Sequence, residues 1–159
     1  MKIRLALASL ALIFTSAVLG CFWLWQPERQ VWKHQTHLLD AAENRSWSRF
    51  NSFIDPAYSD RWKHDKAFIT RETREWLRQF FALTIRREVV SQEMPDSTHA
   101  IIRARLRLEG NGTALAQMAQ DEVNGITEAF VFEWTRKSWK PWDWQLTRAD
   151  NPQLNIPPP

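Results

Sequence analysis

The chain has 159 residues, 44% of them hydrophobic and 25% charged. That is enough for one domain with a core, and too balanced for wholesale disorder. The formal charge is +3, but Lys2 and Arg4 supply two of those charges. Only +1 remains beyond them (3 minus 2), which argues against binding a nucleic-acid backbone. A single cysteine excludes an intramolecular disulfide and a cysteine-built zinc site.

The first predicted element runs from Leu5 to Trp25, 21 positions without a charge, behind the positive pair Lys2 and Arg4. A helix of about 20 apolar residues spans a bilayer. The positive flank is expected to stay cytoplasmic and the rest of the chain to lie outside. Trp23 and Trp25 then fall at the outer interface, where amphipathic rings are favoured. The leading reading makes residues 1–27 an uncleaved anchor of a single-pass bacterial cytoplasmic-membrane protein, with residues 5–25 in the membrane and a periplasmic domain. Two other readings stay open. One is a cleaved signal peptide with Leu5 to Leu19 as its apolar core. The other is a lipoprotein signal, because Val18-Leu19-Gly20-Cys21 resembles a lipobox with Cys21 as the lipidated residue. There Phe22-Trp23-Leu24-Trp25 continues the apolar run where a polar tether is expected. No second run of this length follows, so the chain is not polytopic.

Residues 28–43 predict a helix, with Val31, Leu38, Leu39 and Ala42 at helical spacing. A short helix over 46–54 follows, with Ser46 as N-cap and Trp47, Phe50, Phe53 and Ile54 as its apolar face. Asp55-Pro56 stops it. A third helix is expected from Arg71 to Leu83, capped by Thr70 and buried through Trp76, Leu77, Phe80 and Phe81. The period then changes to two. Ile85 to Gln92 and Ala100 to Glu109 read as strands, the second with Ile102, Ala104, Leu106 and Leu108 on one face and Arg103, Arg105 and Arg107 on the other. Residues 113–125 fit a short strand or an excursion. Thr127 to Arg136 and Pro141 to Ala149 complete a meander through a hairpin at Lys137-Ser138-Trp139-Lys140, with Trp142, Trp144 and Leu146 on one face. Residues 151–159 read as a Pro-rich tail. Helices first and strands after predict an α+β domain over 28–150, with helices packed on a curved antiparallel sheet of four or more strands.

With the break at Asp55-Pro56-Ala57-Tyr58 and the closing strands Phe130-Val131-Phe132-Glu133-Trp134 and Trp142-Asp143-Trp144-Gln145-Leu146, this organisation resembles the nuclear-transport-factor-2-like superfamily. That is the cone-shaped fold shared with ketosteroid isomerase and the SnoaL-like cyclases. The resemblance covers about residues 28–150. It implies a pocket between helices and sheet, and dimerisation through the outer sheet face. It does not extend to the isomerase site, which has a tyrosine on the helical side and two carboxylates in an apolar cone. The one tyrosine, Tyr58, falls in a loop, and the apolar strand faces carry no acid except Glu128 at a strand end.

His34 and His37 share a helix at metal-binding spacing, but no third ligand is evident, and neither a metal nor a cofactor is expected. His37 with Asp40 could orient an imidazole, although a solvated pair is favoured. Tyr58, Asp60, Arg61, Trp62, His64 and Asp65 form either the rim of a pocket or a loop anchored by Tyr58 and Trp62, and the anchored loop is favoured. Arg103, Arg105 and Arg107 read first as cross-strand partners of acids such as Glu88, Glu133 or Asp143, and second as a site for an acidic partner or lipid headgroup. Tyr58, Trp62, Trp76, Trp134 and Trp144 are the candidate pocket residues, and the same aromatic set could instead fill the core. No catalytic residue is assigned. The expected function is a non-enzymatic extracytoplasmic binding or assembly module, holding an apolar ligand or partner segment in its cone. The alternative is a small isomerase or cyclase with Tyr58, Asp60 or His37 near the mouth.

Overall fold

A computed structural model describes residues 25–154 and, ahead of them, 14–16, 18 and 20. Most of the 5–25 run, Cys21 included, lies outside the described residues. Among the described residues no helix is long and apolar enough to cross a membrane.

Three helices come first: α1 (Pro27–Glu43), α2 (Trp47–Ser52) and α3 (Lys66–Leu77). Strands β1 (Phe80–Glu93) and β2 (His99–Gly112) follow, then α4 (Ala114–Gly125), β3 (Phe130–Arg136) and β4 (Trp144–Asp150). The strands form one antiparallel sheet in the order β1-β2-β3-β4. The expected α+β meander is therefore present, with helices on one face of a four-stranded sheet.

The start of α1 follows from Pro27 in its first turn, where a missing N–H costs nothing, and from Glu28 at the positive end of the helix dipole. Its buried stripe is Val31, Leu38, Leu39, Ala41 and Ala42, and Gln35 is buried with them. The helix ends where Arg45 takes a left-handed backbone, φ 55°, and donates to the Phe80 carbonyl at the start of β1. Glu43 accepts from the Ile85 N–H at 2.8 Å, so the end of α1 satisfies backbone groups of β1.

The other edge of the sheet is also covered. Ile54 forms a parallel bridge to Leu146; the Asp55 N–H donates to the Leu146 carbonyl, and the Leu146 N–H to that of Phe53. The segment after α2 thus lies along β4 and leaves less open edge for another chain. Between the edges β3 pairs with β2 only as far as Ala104↔Phe130. Beyond that point the Asn124 amide of α4 takes the place of a strand. Its Oδ1 accepts from the Leu108 N–H at 2.8 Å and its Nδ2 donates to the Leu108 carbonyl at 2.9 Å.

Three expectations need correction. First, α3 begins five residues earlier than Arg71, because Asp65 rather than Thr70 is its N-cap, accepting from the Phe68 N–H at 2.8 Å. Thr70 instead donates to the Asn51 side chain. The helix also stops at Leu77, so Leu77 and Phe80 are buried while Trp76 and Phe81 are exposed. Second, residues 114–125 are a helix, capped by Thr113. Third, residues 151–154 belong to the fold. Asn151 is buried and donates to the Glu128 carbonyl, while Gln153 accepts from the N–H groups of Thr127 and Glu128. Residues 155–159 lie outside the described residues.

Candidate functional site

The space between α1 and the sheet is where a pocket is expected, and aromatic side chains occupy it. Trp134 of β3 is 1% exposed and Trp144 of β4 is 2% exposed, beside Phe132, Leu146 and Ile102. A buried indole keeps a polar N–H that needs an acceptor. The Trp134 Nε1 donates to Gln35 Oε1 of α1 at 2.9 Å, and the Trp144 Nε1 donates to the Pro141 carbonyl at 2.9 Å. The Gln35 amide nitrogen is buried with no hydrogen-bond partner among the described residues.

His34 borders this core. Its Nδ1 donates to the Gln30 carbonyl at 2.8 Å, and its ring stands edge-on to Phe53 (5.7 Å) and Trp134 (6.2 Å). Burial pushes the imidazole below its ordinary value of 6.5, and the bond to Gln30 opposes that only in part. His37 also lies against Phe53. It does not pair with Asp40, which binds the Arg87 guanidinium of β1 at 2.8 Å. That arginine also donates to the Thr36 carbonyl, tying the sheet to α1.

The Tyr58–Asp65 cluster is an anchored loop. The Tyr58 hydroxyl sits between the carbonyl and the N–H of Ala149, and burial with Asp60 nearby pushes the phenol far above its ordinary range. Asp60 Oδ1 accepts from the N–H groups of Trp62 and His64, and its Oδ2 accepts from His64 Nδ1 at 2.9 Å. The His64 ring stacks on Phe68 at 4.0 Å and lies against Trp62 on another side. An Asp–His pair resembles acid–base machinery, but this one is buried under aromatic rings and serves to close the loop. Asp55 is buried too, accepting from the Ala57 N–H and pairing with Lys137. Glu128 is exposed. Asp55 and Asp60 are the buried carboxylates among the described residues, and both belong to the segment that covers β4.

The candidate pocket residues therefore separate. Trp134 and Trp144 share the interior, while Tyr58 and Trp62 hold the loop at the β4 side. Trp76, 49% exposed on α3, stands outside the core. A cavity of about 20 Å³ lies beside Phe80, Gly110 and Ala116, and a broad surface depression of about 460 Å³ is lined by Asn51, Pro56, Asp65, Lys66 and Ala67. Neither reaches Trp134 or Trp144.

On the outer sheet face two of the three ladder arginines, Arg103 and Arg105, have acidic partners across the strand pair, while Arg107 stands opposite Arg86. Arg103 binds Glu93, Arg105 lies 3.9 Å from Glu88 directly across the strand pair, and Arg86 binds Glu109 at 3.0 Å. Glu133 faces Arg148 rather than the ladder.

Besides Trp76 and Phe81, one further aromatic side chain expected on a buried face, Trp142, lies in the β3–β4 loop. Because β4 begins at Trp144, strand alternation does not reach Trp142. Trp142 is 51% exposed and Trp139 82% exposed, and Trp25 (55% exposed) meets Trp142 edge-to-face at 6.4 Å.

No family model matches this sequence, and no curated protein matches it. Solved structures do match. A conserved protein from Planctomyces limnophilus is 13% identical with a TM-score of 0.61, covering 78% of this chain and 93% of that one. A putative dehydratase of the NTF2-like family from Streptomyces avermitilis is 14% identical with a TM-score of 0.55, covering 77% and 93%. A domain of unknown function with a cystatin-like fold from Nostoc punctiforme is 12% identical with a TM-score of 0.52, covering 78% and 75%. Identities this low speak to fold and not to activity. Three helices on an antiparallel meander, shared over three quarters of the chain with an NTF2-like neighbour, give this protein the nuclear-transport-factor-2-like fold.

Proposed function

We propose that this chain is a non-enzymatic binding or assembly module, held outside the bacterial cytoplasmic membrane by its N-terminal segment. One observation carries the non-enzymatic part: the cone is occupied by Trp134, whose N–H is bonded to Gln35, and by Trp144. An enzyme of the isomerase or cyclase kind needs room for substrate and an acid or base facing it. Here the buried acids Asp55 and Asp60 face Lys137 and His64 instead. The filled cone also replaces the ligand-holding pocket with a rigid body that presents its surface. The uncharged run Leu5 to Trp25 behind Lys2 and Arg4 supports the anchor and its orientation. A protein partner, a second copy included, would meet the outer sheet face, where the Arg–Glu pairs offer a patterned charge surface.

Native mass spectrometry of the full chain released from detergent tests the filled cone. The expected spectrum shows the protein mass, alone or as an oligomer, without a retained small molecule. A molecule held in the native spectrum and lost on denaturation would refute the filled cone and return the site to a ligand pocket. Protease accessibility in intact spheroplasts tests the orientation: the domain should be cut from outside.

A further inference from the structure

The β3–β4 loop has a composition and a position that the fold does not require. Trp139 and Trp142 expose large apolar rings, and Lys140 between them is exposed as well. A folded domain ordinarily buries such rings, since each carries a large apolar area. The loop is also tied to the point where the chain enters the domain: Trp25, the last residue of the apolar run, packs on Trp142. Behind it His34 of α1 lies against the backbone of Trp142. The loop, the start of α1 and the end of the apolar run are therefore one contiguous surface.

The geometry points to this surface being a bilayer contact: the Trp139-Lys140-Pro141-Trp142 loop seats the domain on the outer face of the membrane that residues 5–25 enter. Indole rings partition to the interface between headgroups and acyl chains, and a lysine among them meets anionic headgroups. Trp25, packed on Trp142, reaches the same depth from the chain side, so the loop needs no reach of its own. The sheet register orients the rest. The end of the sheet where Arg136 pairs with Trp144 and His99 with Thr135 faces the membrane. The end where Phe80 pairs with Gly112, next to Trp76, points away. This inference rests on the membrane attachment proposed above and adds what attachment alone does not give, a fixed orientation of the domain. It holds whether residues 5–25 span the bilayer or Cys21 carries a lipid.

The test uses the full chain reconstituted into vesicles of phosphatidylcholine and phosphatidylglycerol, with and without bromine near the headgroup end of the acyl chains. Bromine quenches only indoles that enter the bilayer. The emission assigned to one indole is the difference between the wild-type chain and its Trp→Phe variant. The Trp139 emission, from Trp139→Phe, is expected to fall by about half or more in brominated vesicles, whereas the Trp76 emission, from Trp76→Phe, is unchanged. Trp142→Phe gives an independent second reading. Equal thermal melts of the variants show that the fold is intact. Unquenched Trp139 and Trp142 in a chain that floats with the vesicles would overturn the seating and leave the anchor standing. A chain that fails to float would overturn both.

Discussion

Trp142 and Trp144 are two residues apart, and the same residue type does opposite things at the two positions. Trp144 is buried with its N–H closed onto a carbonyl, as is Trp134 on the neighbouring strand. Trp142 and Trp139 stand in solvent beside the point where the chain enters the domain. The difference is where the ladder begins. From Trp144 onward the pairing with β3 fixes which face each side chain takes, and the inner face is filled. Before it, no ladder acts, and the rings are free to serve a surface. Among the ten tryptophans, two populations stand apart: Trp134 and Trp144 build a solid cone while Trp139 and Trp142 make an apolar tip.

Truncation separates the two most sharply. Trp134→Ala removes one of the two largest buried side chains and strands Gln35, so it should cost about 3–5 kcal/mol in denaturant unfolding. If Trp134→Ala instead proved nearly neutral, the interior would be loosely packed and the filled cone wrong.

A smaller effect isolates the polar contact inside the cone. Trp134→Phe leaves Gln35 Oε1 without its donor, and Gln35→Leu leaves the indole N–H without its acceptor. Each single change should cost about 1–3 kcal/mol beyond any change in packing. The leucine also removes the unpartnered amide nitrogen, so it should be the milder of the two. A double-mutant cycle should return a coupling of about 1 kcal/mol. No coupling would mean that Trp134 and Gln35 do not bond in solution.

How much of this was legible in the sequence divides along the same line. Helices ahead of an antiparallel meander, the buried face of β2 and the Arg105–Glu88 pair follow from the patterning, and they appear as expected. The start of α3 was hidden because both Asp65 and Thr70 are competent caps; the helix starts from Asp65, which leaves Thr70 inside it, bonded to Asn51. α4 was hidden because turn-forming Gly110-Asn111-Gly112 before it and Asn124-Gly125 after it suit the ends of a strand as well as of a helix, although Ala, Gln, Met and Glu between them favour helix. The glycines serve another purpose. A Cβ on Gly110 would stand 2.1 Å from the Ala82 carbonyl oxygen, so the close approach of β1 needs hydrogen there. The interior candidates Trp134 and Trp144 followed from alternation. Gln35, the partner that makes Trp134 tolerable, did not, because a glutamine on a helix gives no sign that it faces inward. Trp139 falls in the loop where the sequence puts it, whereas Trp142 departs from expectation because alternation does not extend ahead of the ladder that begins at Trp144.

His34 sits between the two populations, touching the Trp134 ring and the Trp142 backbone, and it makes their junction sensitive to pH. Its folded value lies below the ordinary 6.5, so below about that pH the unfolded chain binds the proton more readily than the folded one. Its contribution is therefore fully present above 6.5 and declines as pH falls through that value towards the lower folded one. Wild-type melting temperature should drop across that window, and His34→Gln should show a shallower drop. Parallel curves for the two proteins would place the titration elsewhere.

The smallest expected effect is the most informative about the tip. Trp139→Ala should leave the stability of the domain within about 0.5 kcal/mol of wild type, because the ring is 82% exposed and supports nothing beneath it. A residue that the fold does not need has no folding reason to be a tryptophan, so a near-zero value is what the surface role requires. A cost above about 1 kcal/mol in detergent, where no bilayer is present, would mean the ring packs on the domain. The comparison would then collapse, because Trp139 would belong with Trp134 and Trp144 to the packed interior and the tip would lose its most exposed ring.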